Sequence, residues 1–425
     1  MKLRNQLLAL FCLLVFAGFG FLYVTNWVVQ KPFGIILFVS DGLIARHLTA
    51  ARLYEGGGDH RLAIEALPHV ALLNNSARDF AVPDAAAAAT AIATGEKANH
   101  RTLAIDARGQ PLPTILDLAR SAGRSTGLVT NGPLTSPATA AFYAHTADAR
   151  DSAGIALQFV SGPLLQVAFG GGAAHFLPPA KGGQRADERD LLGELQANGR
   201  ELVRTKAALE DATSYRATGL VGLFSAGPMA FSNQIESGSE QPSLSDMVRR
   251  AIECLQTNRK GYVLVVDATL LSTAAERNEG EHVITETLAL DRAIATALRY
   301  AGEKALIVAV GRHATGGMSL NGYPLRQDHG VALLGTNASG QPAITWATGP
   351  NGPSPNLPPA INEQPEPANP VALPTGAKKE PAAFQTPSAL NTAEDVLAVG
   401  TGPGSERLQG FRDSTAIFRL LKDAL

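Results

Sequence analysis

Two cysteines in 425 residues, Cys12 and Cys254, are too few for a disulfide framework. Cys12 lies in an N-terminal apolar run and Cys254 in the body of the chain. No disulfide can therefore form within the globular part, and a cysteine-based zinc site is excluded with it. An excess of positive charge is missing too: 36 Lys and Arg stand against 38 Asp and Glu, a formal net charge of −2. Such a chain has no sequence-wide basic field to hold a phosphate backbone, and nucleic acid is not an expected partner. Charged residues are only 17 % of the chain against 45 % hydrophobic, which excludes an intrinsically disordered protein and leaves ample material for a core. The 42 glycines and 26 prolines foretell many loops.

Lys2 and Arg4 precede an apolar run from Leu7 to Val24, long enough for a membrane helix of about 17 to 25 residues. The basic flank is expected to stay cytoplasmic, with Tyr23 and Trp27 at the interface and the remainder extracytoplasmic, on the periplasmic or secreted side. Residues 1–30 thus read as a signal anchor giving a single-pass membrane protein. A cleaved signal peptide is the competing reading, although no clear small-x-small cleavage site follows the run.

Beyond the anchor, apolar runs of strand length alternate with helical patterns: Gly34 to Val39, Ser125 to Thr130, Tyr262 to Val266 and Ala305 to Val310. The alternation predicts an α/β fold, a mostly parallel sheet with helices on both faces. Ser243 and Asp246 form a capping-box pattern ahead of Leu244, Met247, Ala251 and Leu255, and a second helix is predicted from about Glu281 to Tyr300, stopped by Gly302. From 349 to 389 the sequence turns proline-rich, as expected of an extended, solvated insertion, with a docking segment for a partner as the other reading. Globular composition returns at Ala393, so the insertion interrupts one domain, 31–425.

In open parallel sheets, ligand chemistry collects at the carboxyl ends of strands. Three of the apolar runs end on polar groups: Asp41, Asp267, and Arg312 with His313. Each alone is what any loop start looks like; their recurrence at equivalent places points to a site. Between them, Pro83 and Asp84 read as a turn and an N-cap opening an alanine-rich helix, whose first N–H groups could face an anion.

These stretches resemble the alkaline phosphatase family. The resemblance is carried by Ile35 to Gly42 (IILFVSDG), Val82 to Asn99 (VPDAAAAATAIATGEKAN), Ala140 to His145 (AAFYAH) and Gly170 to Pro178 (GGGAAHFLP). Further matches are Pro242 to Asp267, Glu286 to Asp291 (ETLALD), His313 to Gly317 (HATGG) and Thr392 to Glu406 (TAEDVLAVGTGPGSE). It implies the alkaline-phosphatase-like fold and hydrolysis of phosphomonoesters. In that chemistry a serine attacks phosphorus between two zinc ions, a magnesium site assists, and an arginine binds the phosphate oxygens.

Set against the family pattern, the chain has lost much of that machinery. Ala85 stands where the nucleophilic serine follows the aspartate, here Asp84. Asp41 matches the aspartate shared by the second zinc and magnesium, and Asp267 falls on the magnesium glutamate. The magnesium threonine falls on Ala138, with Ser136 or Thr139 able to substitute only through a local shift. The first zinc's ligands fall on Ser272, Glu276 and Asn391, and the second zinc's adjacent Asp-His pair on Arg312 and His313. The phosphate arginine falls on Ala149, with Arg150 beside it as a weak candidate for substrate binding. The residual metal set is therefore Asp41, Asp267 and His313, fewer good donors than a catalytic zinc site needs.

The resemblance so modified implies a membrane-anchored, catalytically inactive member without a cofactor, acting in binding or assembly. Its partners would be the membrane, a phosphate or other anion at the Asp84 helix, and a second copy, since the family commonly forms homodimers. Arg312 is expected to replace the second zinc's charge by pairing with Asp41 or Asp84. The alternative is an active phosphomonoesterase with zinc and magnesium held by a rearranged cluster from Asp41, Asp84, Asp267, Glu276 and His313. His282 and His329 stand in reserve for it, each read as an ordinary surface or loop histidine. A third reading is an adaptor working through the proline-rich insertion.

Overall fold

Along Gly34–Ser40, Tyr262–Ala268 and Leu306–Gly311 every residue is buried, a pattern that requires cover on both faces of a strand. A computed structural model, describing residues 2–26, 31–213, 219–321, 342–353 and 380–425, supplies that cover. The strands in chain order are β1 (Gly34–Ser40), β2 (His69–Asn74), β3 (Ser125–Pro133), β4 (Val167–Gly171), β5 (Glu201–Val203), β6 (Leu220–Leu223), β7 (Tyr262–Ala268) and β8 (Leu306–Gly311). They continue with β9 (Ala314–Thr315), β10 (Ser319–Leu320), β11 (Ile344–Gly349), β12 (Ala382–Gln385), β13 (Asn391–Thr392), β14 (Val396–Thr401) and β15 (Gln409–Asp413). Ten of them form one sheet in the order β15-β2-β14-β8-β1-β7-β3-β4-β6-β5. Only β14 runs against the rest, antiparallel to both β2 and β8.

The two-residue period of a strand divides the core between the two faces. Ile36 and Phe38 of β1, Leu264 and Val266 of β7, and Ile307 and Ala309 of β8 belong to one apolar cluster. Ile35, Leu37, Val39, Val263, Val265, Leu306, Val308 and Val310 belong to the other. The helix Leu244–Leu255, opened by the reciprocal Ser243–Asp246 capping box, covers the first face with Gly280–Ala301, which stops at Gly302. The chain divides into two compact units, Met1–Pro32 and Phe33–Leu425. In the first, helix α1 (Lys2–Asn26) contains a span, Leu3–Gly20, long and apolar enough to cross a membrane; the first two α-helices of the second are α2 (Ala45–Gly56) and α3 (Ala85–Thr94).

The expected insertion is narrower than its composition suggests. Its middle, 354–379, lies outside the described residues, but both flanks are built into the fold: β12 pairs in parallel with β11, and Glu380 and Ala389 are buried. Glu380 accepts the Gly280 N–H at 2.7 Å, so the flank caps the start of a core helix. Proline content, which reports only on local backbone freedom, could not show that anchoring.

Candidate functional site

On the face of the sheet carrying Val39, Val265 and Val310, the next residue but one in each chain is Asp41, Asp267 and Arg312. Strand alternation therefore turns all three the same way. Register then brings them together: Val39 pairs with Asp267, and Arg312 N–H donates to Ser40 O at 3.0 Å directly beyond the β1–β8 ladder. Gly42 turns the chain immediately after Asp41 with φ 85°; a Cβ there would come within 2.6 Å of the buried His47 ring.

At the centre lies Arg312, fully buried. Its Nε donates to Asp41 Oδ1 at 2.7 Å, and its Nη2 lies 2.8 Å from Asp267 Oδ1. Burial works against the guanidinium's charge, but the Asp267 and Asp41 carboxylates outweigh it and hold Arg312 above its ordinary value. Burial pushes Asp267 upward, opposed chiefly by Arg312. Asp267 Oδ2 also accepts from Thr139, and from Thr269 at 2.9 Å. Of the three candidates for the missing threonine, Thr139 is thus the one that reaches the carboxylate; Ser136 stands behind it at 2.9 Å. His313 Nε2 lies 3.2 Å from Asp41 Oδ1, and burial lowers its pKa, favouring the neutral ring.

Asp84 does not join this network. Its Oδ1 accepts the Ala87 N–H at 2.8 Å and its Oδ2 the Arg101 N–H at 2.7 Å, making it the N-cap of α3 (Ala85–Thr94). Arg312 pairs with Asp41, as one of the two expected partners, and its second partner is Asp267. The local cap, three residues away, claims Asp84 first. Ala85 follows as the first residue of α3. Arg150 is half-exposed and pairs with Asp148 at 3.4 Å. Asn391 donates to Pro83 O and accepts from Thr315, both at 3.0 Å, while Ser272 donates to Glu276 at 3.2 Å. His282 is not a surface residue: it is buried, stacked on Phe231 at 3.9 Å and paired with Glu279 at 3.0 Å. His329 lies outside the described residues.

Three supports escaped the sequence reading. Asn75 donates to Arg312 O at 2.8 Å and fixes its backbone. Asn131, one residue past Thr130, accepts the Leu270 N–H at 3.1 Å and takes Glu286 as acceptor at 2.9 Å. Glu286 in turn accepts the Ser232 N–H at 2.6 Å, tying the Asp267 loop to the helix Gly280–Ala301. A threonine two residues beyond Asp267 was the one signal in the sequence; the asparagines carried none.

A family model described as alkaline phosphatase matches residues 34–425. The chain belongs to the alkaline phosphatase family. It is 31 % identical to the alkaline phosphatase of Escherichia coli over 66 % of this chain and 69 % of that one. Against alkaline phosphatase 4 of Bacillus subtilis the identity is 26 %, covering 71 % of this chain and 65 % of the relative, just under two thirds of its length. The solved alkaline phosphatase of Thermus thermophilus superposes with a TM-score of 0.73 at 25 % identity, over 93 % of this chain and 92 % of that one.

The zinc and magnesium that this family implies do not fit the residues this member presents. The carboxylates of Asp41 and Asp267 face a buried, permanently charged guanidinium, and a divalent ion there would meet a like charge within hydrogen-bond distance of its own ligands. Ser272 and Asn391 offer neutral oxygens engaged with neighbours. Among the described residues no group of three or more His, Cys, Asp or Glu is placed to hold a metal ion.

Proposed function

We propose that this alkaline phosphatase family member does not hydrolyse phosphomonoesters and serves as a membrane-anchored, extracytoplasmic binding or assembly protein. One observation carries the reading: the first residue of α3, next to the Asp84 cap, is Ala85, a methyl group where covalent phosphoryl transfer needs an oxygen. The residues behind it, Ala86, Ala87, Ala88 and Ala89, are buried and likewise carry no nucleophile. What this reading keeps is the scaffold, with the N-terminus of α3 as a place for an anion and an apolar α1 suited to the bilayer. A second copy of the chain, or another protein, is the partner class this role calls for.

The test is turnover of a chromogenic phosphate monoester by the full chain in detergent, with zinc and magnesium supplied. The expected rate is the uncatalysed background. Turnover that depends on added metal and is abolished by Asp41→Ala overturns the proposal in favour of an enzyme with a rearranged site.

A further inference from the structure

We infer that Arg312 is a resident cation: a guanidinium tethered to the chain that supplies the positive charge Asp41 and Asp267 require, so that the site closes without a metal ion. The inference deepens the reading above and rests on it for what the site is. Its own evidence is geometric. Two carboxylates at 3 % and 0 % exposure converge on one guanidinium at 0 %, and each meets a different nitrogen of it, Asp41 accepting from Nε at 2.7 Å and Asp267 ion-paired with Nη2 at 2.8 Å. A lysine ammonium, a point charge, cannot span two acceptors in that fixed way.

Arg312 is also held against leaving. Its N–H bonds to Ser40 O, its C=O accepts from Asn75, and its side chain has no exposed surface into which to swing. Guanidinium does not deprotonate in proteins, so the charge is permanent. The remaining oxygen of Asp267, Oδ2, accepts from the hydroxyls of Thr139 and Thr269. The same oxygens, Asp41, Asp267, Thr139 and Thr269, form a set suited to a hard cation. Arg312 sits against both carboxylates of that set. Removing it is therefore expected to create a cation site that the natural chain lacks.

The experiment uses the full chain in detergent. After exposure to zinc and magnesium followed by desalting, the wild type is expected to retain metal far below one ion per chain, and its unfolding temperature is expected to be the same with or without EDTA. Arg312→Ala is expected to unfold roughly 5 °C lower and to regain at least half of that loss in millimolar magnesium. Arg312→Ala/Asp267→Asn should regain none. Should Arg312→Ala fail to fold, Arg312→Lys, which keeps the charge, is compared instead and is expected to lose stability without responding to magnesium. Stoichiometric metal in the wild type, a fall on EDTA, a folded Arg312→Ala indifferent to magnesium, or an Arg312→Lys stabilised by magnesium each overturn the inference. Hydrolysis by metal-free, chelator-indifferent protein would sink the inactive reading and leave the role of Arg312 standing. Bound metal without hydrolysis would do the reverse.

Discussion

The Thr139 hydroxyl donates to Asp267 Oδ2, an acceptor 128 residues further along the chain. Thr269 donates to the same oxygen at 2.9 Å, so a fully buried carboxylate is held from two sides. Thr139→Val keeps the shape and removes one donor, and it is expected to lower stability by about 1–3 kcal/mol. Thr139→Ser, which keeps the hydroxyl, should lose much less. Urea unfolding, with the midpoint moving at constant slope, is the check.

Glu286 gives a pH signature. Burial pushes its carboxyl up to about 7 from 4.5, against the hydrogen bonds from Ser232. The folded state therefore binds the proton more tightly than the unfolded chain. The stability this contributes is complete below pH 4.5 and is lost as pH rises through about 7, on the order of 3 kcal/mol in all. Glu286→Gln should flatten that part of the profile. Thermal unfolding of both proteins between pH 4.5 and 8 reads the difference between slopes, and identical slopes would refute it.

Asp84 is a helix cap that also holds the Arg101 loop. Asp84→Ala is expected to cost about 1–2 kcal/mol, whereas Asp84→Asn keeps an oxygen for the Ala87 N–H and should lose a few tenths. Faster amide exchange at Ala87 and Arg101 in the alanine variant alone would locate the effect. Equal exchange in both variants would contradict it.

Restoring a hydroxyl is not expected to restore chemistry. On the function proposed above, Ala85→Ser places an oxygen at the start of α3 without the divalent cations that would lower its pKa and stabilise the leaving oxygen. Monoester turnover should stay at background with zinc and magnesium present, and a metal-dependent rise would show that ligands had been misassigned.

Helix α1 separates an anchor from a signal sequence by mass. The intact chain should be recovered from membranes resistant to alkaline carbonate, and a chain starting at Lys31 should be released. A released natural form whose N-terminal sequence begins near residue 30 would mean cleavage instead.

The four central strands were legible because burial on both faces leaves unbroken apolar runs: those beginning at Gly34, Ser125, Tyr262 and about Ala305 became β1, β3, β7 and β8. At the edge of the sheet the signal fails. Every residue of β15 except Asp413 is exposed and it shows no apolar run, while β2 mixes buried with exposed positions and offers only the short run Val70 to Leu73. Asp41, Asp267 and Arg312 could be read from where their strands end, since position along a strand fixes both depth and face. Asn131, Asn75 and Glu286 could not, because their roles exist only once distant segments meet. The pairing of Arg312 with Asp267 rather than Asp84 turned on a competition between a local cap and a distant ion pair, which spacing alone does not decide.

The reversed strand β14 makes the order of synthesis matter. Leu73 of β2 pairs with Val396, and Val310 at the other side of β14 pairs with Ala398. β2 is translated early, yet its two neighbours, β14 and β15, are among the last segments to emerge. Through most of translation the nascent chain thus carries an unpaired β2 and, later, an open β8 edge, both able to pair with other chains. A ribosome that stops short of residue 396 releases a seven-stranded sheet with β2 left unpaired, so β14 and β15 act as the clasp that fastens β2 to the rest.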